Sequence, residues 1–545
     1  MYDTADGALM TLPDLTLEGL KVEARQRVLK TYSGNDLGDF QTPPLLVNAI
    51  LKALPAQERT YSRVLEPTCG TGNFVFALLD QPEPPAEIHA IEVQHGYVQQ
   101  VLEKLPRYTA TRVIVQETNL FDIDLQSQLA WETTGALLVI GNPPWVTNAH
   151  LGRLGSQNLP QKVNLKRLKG IHARTGDANF DIAESIWLKL ITELSVYTPT
   201  IALLCKISVA RNVLQYAYDF GLPISQASIR KCNAKRWFGA SVDACLFCLK
   251  VGQANVHYKA ELYADIDANE PISSLGVVNG RLTGDVRRYH ACANIDGECS
   301  LDWRQGIKHD AASVMELSCD PDGYLTNKAG QRVQVEPEYI YPLMKGTDVF
   351  KGLAPHRSVI VTQRSLGEDT ARLQQVAPKL WAYLEANSNV LNNRKSSIYT
   401  NRPRFSLFGV GPYAFAPYKV VVSGLHKTPV FRLISANSDQ RPVMLDDTCY
   451  FLPLQEVTMA ALLVFVLNHE HCINFLTSTM FADAKRPITK KLLQRIQLDA
   501  LINTIPTQTL RDGIETIVQQ RGEPGYALRI DAGETLITQL LCAQR

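Results

Sequence analysis

A glycine-rich loop directly after a short apolar run is the first stretch of this sequence that could bind a ligand. The run Arg63–Leu65 predicts a strand, and the chain continues Glu66-Pro67-Thr68-Cys69-Gly70-Thr71-Gly72-Asn73-Phe74. Glycine lets the backbone turn tightly and approach a ligand that a Cβ atom would exclude. Glu66 places an anion beside that turn, which suits an ammonium group, such as that of S-adenosylmethionine, better than a phosphate. A glycine turn closed by a capping residue is the alternative.

Glu92, at the end of the next predicted strand, is the second candidate. It lies twenty-six residues after Glu66. An acid at this place in a strand–helix–strand unit hydrogen-bonds the hydroxyl groups of a ribose. A solvated glutamate at a strand end is the alternative, but the spacing from the glycine loop favours the ribose ligand.

The segment Gly141-Asn142-Pro143-Pro144-Trp145 is the third candidate, and it follows the apolar run Ala136–Ile140. Two prolines stiffen the backbone and remove two amide donors. The Asn142 side-chain oxygen and the Pro143 carbonyl remain as acceptors beside a large flat ring. This combination suits the exocyclic amine of a planar base, with Trp145 stacked on the base. A Pro-Pro turn with an aromatic lid on the core is the alternative.

These motifs need a sheet whose strands end at one edge, and the first ~250 residues have the alternating pattern that predicts it. Strands are predicted at Arg63–Leu65, Ile88–Ile91, Val113–Val115, Ala136–Ile140, Ile201–Cys205 and Ala244–Lys250. Helices are predicted at Pro44–Leu54, Asn73–Leu79, Val98–Leu105 and Phe180–Leu194. We therefore expect an α/β, Rossmann-like, doubly wound sheet with ligands at the carboxyl ends of its strands.

The composition and hydrophobic periodicity of the sequence change after Val251, which predicts further domains. Residues 256–335 are rich in Asp, Gly and Asn with weak periodicity, and we interpret them as a β-rich connection. Residues 336–545 contain strands punctuated by Gly and Pro (Lys419–Ser423, Val430–Ile434) and a helix, Val457–Leu467, which predict a mixed α+β recognition domain. The catalytic domain is then expected at residues 1–255.

Composition limits the class of protein. The 545 residues are 45% hydrophobic and 20% charged with a net charge of +1, which excludes a mainly disordered or collagen-like chain. The 11 cysteines lack framework spacing, and no apolar run reaches the ~18 residues of a membrane span, so we expect a cytoplasmic protein. The near-zero net charge argues against a nucleic-acid partner only until the charges are located along the chain.

The motif order resembles one known family. Gly38-Asp39-Phe40-Gln41-Thr42-Pro43-Pro44 precedes the glycine loop, and Asn119-Leu120-Phe121 lies between Glu92 and the Asn142–Trp145 segment. This order is similar to that of γ-class N6-adenine DNA methyltransferases of type II restriction–modification systems. The resemblance implies a class I methyltransferase sheet followed by a target-recognition domain.

The same resemblance implies roles for individual residues. Gln41 and Thr42 would contact the methionine carboxylate of S-adenosylmethionine, and Asn119 with Leu120 would flank its adenine ring. Many family members have Asp where this chain has Asn119. Phe238 is similar in position to a second aromatic residue that stacks on the target base. The implied cofactor-binding set is Gln41, Thr42, Glu66, Pro67, Gly70, Gly72, Asn73, Glu92, Asn119 and Leu120; the implied catalytic set is Asn142, Pro143, Pro144, Trp145 and Phe238.

The expected reaction is methylation of an adenine amine in a specific double-stranded DNA sequence. Acceptors at Asn142 and Pro143 would accept one hydrogen bond from each amine N–H and so favour a tetrahedral nitrogen. Correct positioning of the amine would supply much of the rate. The target must leave the duplex, so base flipping is implied. No metal is required. The resemblance also allows a separately encoded restriction endonuclease as a partner, and the sequence leaves open whether one exists.

Two acid-free basic stretches predict where DNA would bind. Residues Leu151–Thr175 hold six basic residues and no acid, and Ala386–Ser438 hold seven with aromatic residues interleaved. A solvated charged face is the alternative for either stretch alone. The predicted DNA contacts are Lys162, Lys166, Arg167, Lys169, Arg394, Lys395, Arg402, Arg404, Lys419, Lys485 and Arg486.

Other functions remain open at this point. An amine methyltransferase acting on RNA or on protein glutamine shares the Asn-Pro-Pro-aromatic segment, and a catalytically silent DNA-binding protein could keep the same fold. Cys245 and Cys248 have the spacing of metal ligands but lie in an apolar predicted strand, where positions i and i+3 face opposite sides. We therefore expect no zinc site there.

Overall fold

The computed structural model describes residues 40–55, 61–145, 181–240, 242–437, 439–481 and 483–520. The chain divides into two compact units, Met1–Leu282 and Thr283–Arg545. The division falls inside the segment 256–335 that the sequence set apart as a connection.

The first unit is built on one twisted sheet. Its described strands are β1 (Arg63–Glu66), β2 (Glu87–Glu92), β3 (Arg112–Glu117), β4 (Leu137–Gly141), β5 (Thr200–Lys206), β6 (Ile224–Asn233), β7 (Asp243–Val251), β8 (Lys259–Tyr263), β9 (Pro271–Val278) and β10 (Arg281–Thr283). Their order across the sheet is β10-β9-β8-β6-β7-β5-β4-β1-β2-β3. Strands β3-β2-β1-β4-β5 are parallel, whereas β7 lies antiparallel to both β5 and β6.

Helices connect these strands as the sequence predicted. The described helices of this unit are α1 (Pro44–Ala53), α2 (Asn73–Leu79), α3 (His95–Lys104), α4 (Leu125–Gln128), α5 (Ile182–Glu193), α6 (Ile207–Phe220) and α7 (Ala234–Phe238). Strands β2 and β4 are buried along their whole length. Strand β4 is the continuous apolar run that a parallel sheet covered on both faces favours, whereas β2 also buries Glu87 and His89.

The core of this unit explains why those segments fold together. Leu46, Val47 and Ile50 on one face of α1 are fully buried and belong to the same apolar cluster as Val64 and Ile140 of the sheet. Burying one such aliphatic side chain contributes about 1.5–3 kcal/mol. The core therefore fixes α1, and with it the segment that precedes α1, against the sheet.

The second unit contains two smaller sheets. Its described strands are β11 (Arg304–Gln305), β12 (Glu316–Cys319), β13 (Leu325–Asn327), β14 (Ile340–Met344), β15 (Arg357–Ile360), β16 (Tyr418–Ser423), β17 (Phe431–Ser435), β18 (Met444–Leu445) and β19 (Cys449–Leu454). One sheet has the order β11-β19-β16-β17 and the other has the order β13-β12-β15-β14-β18.

Helices of the second unit follow and flank these sheets. They are α8 (Val286–Cys292), α9 (Ala312–Met315), α10 (Gly346–Lys351), α11 (Leu373–Val376), α12 (Pro378–Ala386), α13 (Ser388–Asn392), α14 (Val457–Leu467), α15 (Glu470–Thr479), α16 (Lys490–Leu493), α17 (Leu498–Asn503) and α18 (Thr507–Gln520). Within the described ranges no single helix has the length and apolarity to cross a membrane; α14 and α15 meet that test only as a bent pair, on length and composition alone.

Candidate active site

The carboxyl ends of four neighbouring strands bring the sequence-predicted motifs to one edge of the first unit's sheet. Glu92 ends β2 and Glu66 ends β1, and these strands pair in parallel. Asn142 directly follows β4, and Lys206 ends β5. Because parallel strands end on the same side of a sheet, these four side chains share one edge, the usual ligand-binding edge of such a fold.

The glycine loop packs so closely against its neighbours that position 70 admits only glycine. Gly70 has φ +52°, and its N–H donates to Glu92 Oε2 at 2.8 Å. A Cβ atom at Gly70 would lie 2.6 Å from Gln41 Oε1. That same oxygen accepts hydrogen bonds from the Thr71 N–H (3.1 Å) and hydroxyl (2.9 Å). Gln41 therefore contacts the glycine loop directly, and its contact with the methionine carboxylate stays a prediction.

The absence of a side chain at Gly72 allows close packing at the start of α2. Its φ is +80°, and a Cβ atom there would lie 2.9 Å from both Phe76 and Val101. The next residue, Asn73, donates through Nδ2 to the Thr42 carbonyl at 2.9 Å. Thr42 and Asn73 thus tie the segment before α1 to the glycine loop, and both predicted cofactor segments form one wall of the site.

Glu66 is a buried carboxylate with an unsatisfied oxygen. Its side chain is 2% exposed, and Oε2 has no hydrogen-bond partner among the described residues. Burial raises the pKa of Glu66 well above its ordinary value, the Val75 amide partly offsets this, and the Glu92 charge raises it further. The Thr68 hydroxyl oxygen of the same loop is likewise buried without a described partner. Such a site favours a ligand that brings a positive, hydrogen-bonding group.

Glu92 is already anchored by the backbone around it. Oε2 accepts from Gly70, and Oε1 accepts from the N–H groups of Val93 (2.9 Å) and Gln94 (2.8 Å). These bonds fix the carboxylate at the end of β2, where ribose hydroxyl groups are bound in comparable sheets. The ribose role of Glu92 stays a prediction.

Asn119 and Leu120 occupy the end of β3 beyond Glu117. The Asn119 oxygen accepts from the Phe121 N–H at 3.0 Å and caps a single turn, and Leu120 is buried. The Asn119 side-chain oxygen is therefore engaged with the backbone. Their contact with the adenine ring stays a prediction.

The orientation of the Asn142 amide follows from a bond across the site. Its Nδ2 donates to the Phe40 carbonyl oxygen at 2.8 Å, so Oδ1 is the end left as an acceptor. Asn142 Oδ1 is buried, and no described residue donates to it. Pro143 beside it is buried and Pro144 is half-buried. The segment thus keeps an acceptor that no described residue uses, and its recognition of an amine stays a prediction.

Three aromatic rings pack together here, and one of them, Trp145, belongs to the same segment as Asn142. Trp145 and Phe238 lie 5.2 Å apart between centroids in an edge-on arrangement, and Phe40 lies 5.7 Å from Trp145 and 5.9 Å from Phe238. Trp145 is 7% exposed, and its Nε1 donates to the Leu204 carbonyl at 3.4 Å. The structure therefore brings the two predicted base-stacking rings together, and it adds Phe40 to them.

Phe40 and Lys206 are site residues to which sequence reasoning assigned no role. Phe40 stands in the segment quoted for the family resemblance, directly before Gln41, which was the available signal. Lys206 directly follows the predicted strand Ile201–Cys205, and a polar residue at a strand's carboxyl end was its signal.

The cysteine pair of β7 is part of the core. Cys245 and Cys248 are buried, and the Cys245 sulfur lies 4.0 Å from that of Cys205. Within the described ranges, no group of three or more His, Cys, Asp or Glu side chains could hold a metal ion. Burial raises the pKa of the Cys69 thiol in the glycine loop, so that thiol stays protonated.

The predicted DNA-contacting cations fall into different environments. Lys162, Lys166, Arg167 and Lys169 lie outside the described residues. Lys395, Arg402 and Lys485 are exposed in the second unit. Arg404 is exposed but pairs with Glu385 through both nitrogens, one at 3.0 Å, and Arg486 pairs with Asp447 at 3.0 Å.

Lys419 and Arg394 make their described hydrogen bonds to backbone carbonyls of the second unit. Lys419 is 2% exposed, and its Nζ donates to the Ala416 carbonyl at 2.8 Å. Burial lowers the pKa of Lys419 to about 7. Arg394 is half-buried; it stacks on Tyr399 at 3.7 Å and donates to the Ser406 carbonyl at 2.7 Å. Lys419 therefore does not present its charge to solvent, which corrects its predicted DNA contact, whereas a DNA contact by the partly exposed Arg394 stays a prediction.

Comparison with known proteins places the chain in a family. The type II methyltransferase M.NspV of Nostoc sp. (strain ATCC 29411 / PCC 7524) is 35% identical over 473 residues, which make up 86% of this chain and 98% of that relative. The type IIL restriction–modification enzyme MmeI, solved in complex with DNA, has a similar structure, with a TM-score of 0.50 and 12% identity over 96% of this chain and 77% of that one.

A further solved structure is less similar to this chain. The methyltransferase subunit of a type I restriction–modification system from Streptococcus thermophilus matches 42% of this chain and 47% of its own, with 14% identity and a TM-score of 0.31. No protein-family model matches the chain.

The sheet order and the motifs at its edge define a class I methyltransferase fold, as the sequence predicted, and the likeness to MmeI agrees with it. The chain belongs to the type II methyltransferases of restriction–modification systems, DNA-modifying enzymes.

Proposed function

We propose that this methyltransferase uses S-adenosylmethionine to methylate the N6 amine of an adenine flipped out of a specific DNA duplex. It would act as the modification arm of a restriction–modification or related defence system. The observation that carries this proposal is the buried Asn142 Oδ1, which lacks a described partner and lies in the segment that ends at the Trp145 ring. Its partner would be double-stranded DNA, with a separately encoded endonuclease as a second partner.

The residues at the strand ends fit S-adenosylmethionine. The unsatisfied oxygen of Glu66 is suited to the ammonium group, and Glu92 at the end of β2 is suited to the ribose hydroxyls. Gln41 and Thr42 are tied to the glycine loop, where the methionine carboxylate is expected. When bound, this cofactor supplies an electrophilic methyl group on a sulfonium centre.

The chain's own part in the reaction is to orient and polarise the amine. The adenine amine is a poor nucleophile because its lone pair is delocalised into the ring. Asn142 Oδ1 and the Pro143 carbonyl oxygen are fixed acceptors. When they accept hydrogen bonds from both N–H groups of the amine, electron density is drawn onto N6. Phe40 holds the amide in the orientation that presents Oδ1, so little reorganisation is needed at the moment of reaction.

The aromatic rings would hold the flipped base. Trp145 is almost fully buried, so a base can stack on it only when a neighbouring group moves. Phe238 is half-buried at the end of the short helix α7, next to the glycine that ends it. Stacking of a base on an aromatic side chain contributes about 1–3 kcal/mol, enough to offset much of the cost of unstacking it from the duplex.

The test is methyl transfer from labelled S-adenosylmethionine to unmethylated DNA, followed by digestion to nucleosides and mass spectrometry. We expect N6-methyladenine from the wild type and a fall in kcat of about 10²–10³-fold for Asn142→Ala. The matched control is Asn468→Ala, since Asn468 Nδ2 also donates to a backbone carbonyl (Phe431, 2.8 Å) but its oxygen is satisfied by the Phe431 N–H at 3.0 Å.

Each other outcome would contradict part of the proposal. Label in RNA or in protein glutamine would identify a different amine substrate, and methylcytosine in DNA would exclude adenine. DNA binding without any methyl transfer would identify a catalytically silent protein. Full activity of Asn142→Ala would remove the catalytic assignment.

A further inference from the structure

Lys206 is a charged side chain at the active-site edge that the proposed reaction does not use. It ends β5, the neighbour of β4, whose last residue Gly141 pairs with Leu203. Its side chain is 23% exposed. A long cationic side chain at this depth needs fixed partners.

One partner of Lys206 is the backbone of the predicted base-stacking residue. Lys206 Nζ donates to the Trp145 carbonyl oxygen at 3.1 Å. The Trp145 indole Nε1 donates to the carbonyl of Leu204, two residues before Lys206 on the same strand. Trp145 is therefore held to the end of β5 at both its main chain and its ring.

The other partner of Lys206 is Asp181, at the start of α5. Lys206 Nζ lies 2.7 Å from Asp181 Oδ2, and the Asp181 side chain is 7% exposed. Asp181 Oδ1 accepts from the Ala183 N–H at 3.1 Å and caps α5. Burial raises the pKa of Asp181, and the Lys206 charge lowers it in opposition. The ion pair thus compensates a carboxylate that the fold has taken out of water.

We propose that Lys206 is a positioning residue, which rests on the proposed function: it fixes Trp145 against the end of β5 so that Asn142 and the Trp145 ring meet the target base together. Its Nζ donates to a carbonyl and to a carboxylate, so it acts through Trp145 and not on the substrate. Displacement of a stacking ring by about 1 Å is enough to lower a rate by up to about 10²-fold.

The first experiment compares Lys206→Met with Lys206→Arg. Methionine keeps most of the apolar stem but cannot donate, whereas arginine can donate to both oxygens. We expect kcat for DNA methylation to fall by about 10–100-fold in Lys206→Met and to recover at least threefold in Lys206→Arg, with S-adenosylmethionine affinity within about twofold of wild type in both.

The matched control is Lys345→Met in the second unit. Lys345 Nζ lies 2.6 Å from Glu316, and the two side chains are 26% and 6% exposed, close to the values for Lys206 and Asp181. This substitution removes an ion pair of similar length and exposure away from the active site, while Glu316 keeps His309 and Lys328 as partners. We expect kcat to change only in Lys206→Met.

A second measurement follows Trp145 itself. Labelling with 5-fluorotryptophan introduces six ¹⁹F resonances, one for each tryptophan, and Trp145→Phe identifies one of them. Lys206→Met should shift or broaden the Trp145 resonance while Trp303 and Trp381 of the second unit stay unchanged. Asp181→Asn, which keeps an oxygen for the α5 cap, should produce a smaller change of the same kind.

The outcomes separate this inference from the proposed function. If the wild type transfers no methyl group to DNA, the proposed function fails, while the ¹⁹F spectra still test the link between Lys206 and Trp145. An active wild type with full kcat and an unmoved Trp145 resonance in Lys206→Met would overturn the positioning role. If Lys206→Met does not fold, Asp181→Asn with unchanged kcat and an unmoved resonance would overturn it.

Discussion

Asn142 and Phe40 are 102 residues apart in sequence and are joined by a hydrogen bond of 2.8 Å from the Asn142 side-chain nitrogen to the Phe40 carbonyl oxygen. This bond decides which end of the amide is the acceptor. Phe40 also contacts Trp145 and Phe238 through its ring. The segment before α1, which the resemblance assigned to the cofactor, therefore also organises the site proposed for the base.

The first prediction concerns Asn142→Asp. Aspartate keeps an acceptor of the same size, but an ionised carboxylate cannot donate to the Phe40 carbonyl, and two acceptor oxygens would then face each other. A buried acceptor left in this state costs about 1–3 kcal/mol. We expect kcat to fall about 10–100-fold near pH 8, and the deficit relative to wild type to shrink as the pH falls, because the protonated carboxyl can donate. Parallel pH–rate profiles measure this; equal rates at pH 8 would contradict it.

The second prediction concerns Glu66→Gln. Burial, the main cause, raises the pKa of Glu66, so the folded state holds its proton more tightly than the unfolded state. This group therefore favours folding below the unfolded pKa, and that contribution is lost as pH rises through the folded value. Glutamine removes the titration, so we expect a higher Tm for the free protein at neutral pH.

The same substitution should weaken binding of S-adenosylmethionine by at least about tenfold, because a charge-assisted hydrogen bond to the ammonium group is lost. The affinity of the wild type for S-adenosylmethionine should decrease as the pH is lowered and Glu66 becomes protonated. The affinity of Glu66→Gln should change less over the same pH range. Differential scanning calorimetry and titration calorimetry measure the two effects. A lower Tm together with unchanged affinity would mean that Glu66 is purely structural.

Much of the first unit's fold could be predicted from sequence, because most of its parallel strands contain a short apolar run. The predicted Ala136–Ile140 is observed as Leu137–Gly141, and the predicted helix Asn73–Leu79 is observed with the same bounds. Strand β6, Ile224–Asn233, was missed: most of its residues are partly or fully exposed, so it lacks both an apolar run and clean alternation.

The site was predictable in its residue types but not in its connections. The motifs named Asn142 and Glu66, whereas the bond from Asn142 to Phe40 depends on how α1 packs on the sheet. Lys419 shows the limit of charge counting. Strand β16 is covered along nearly its whole length, so a lysine in an acid-free stretch is buried there. A run of charges does not tell which way a side chain points.

The third prediction concerns acid stability of the second unit. Glu316 lies 3.3 Å from His309 and 2.6 Å from Lys345. Burial alone would raise the pKa of Glu316, but hydrogen bonds from His309 and Lys345 lower it to about 2. The group therefore adds stability above its unfolded pKa, and that stability is lost as the pH falls through about 4.5 toward about 2.

Glu316→Gln should remove this part of the pH dependence and lower the Tm at neutral pH by several degrees, since about 1–3 kcal/mol is lost with a buried charged hydrogen-bond acceptor. Thermal unfolding between pH 3 and 8 would measure it. Glu385→Gln is the control, because Glu385 pairs with Arg404 at the surface, where such pairs contribute little. Identical pH profiles for wild type and Glu316→Gln would contradict the prediction.

The last prediction separates free from paired cations in the second unit. Arg402 and Arg404 are both exposed and only two residues apart, but Arg404 is paired with Glu385, whereas among the described residues nothing accepts a bond from the Arg402 guanidinium. A cation that neutralises one DNA phosphate adds about 0.9 to the slope of log affinity against log salt. We expect Arg402→Gln to lower that slope by about this amount and Arg404→Gln to leave it nearly unchanged. Fluorescence anisotropy with duplex DNA at several salt concentrations measures both slopes. Equal slopes for wild type and Arg402→Gln would show that this stretch is a solvated face and not part of the DNA contact.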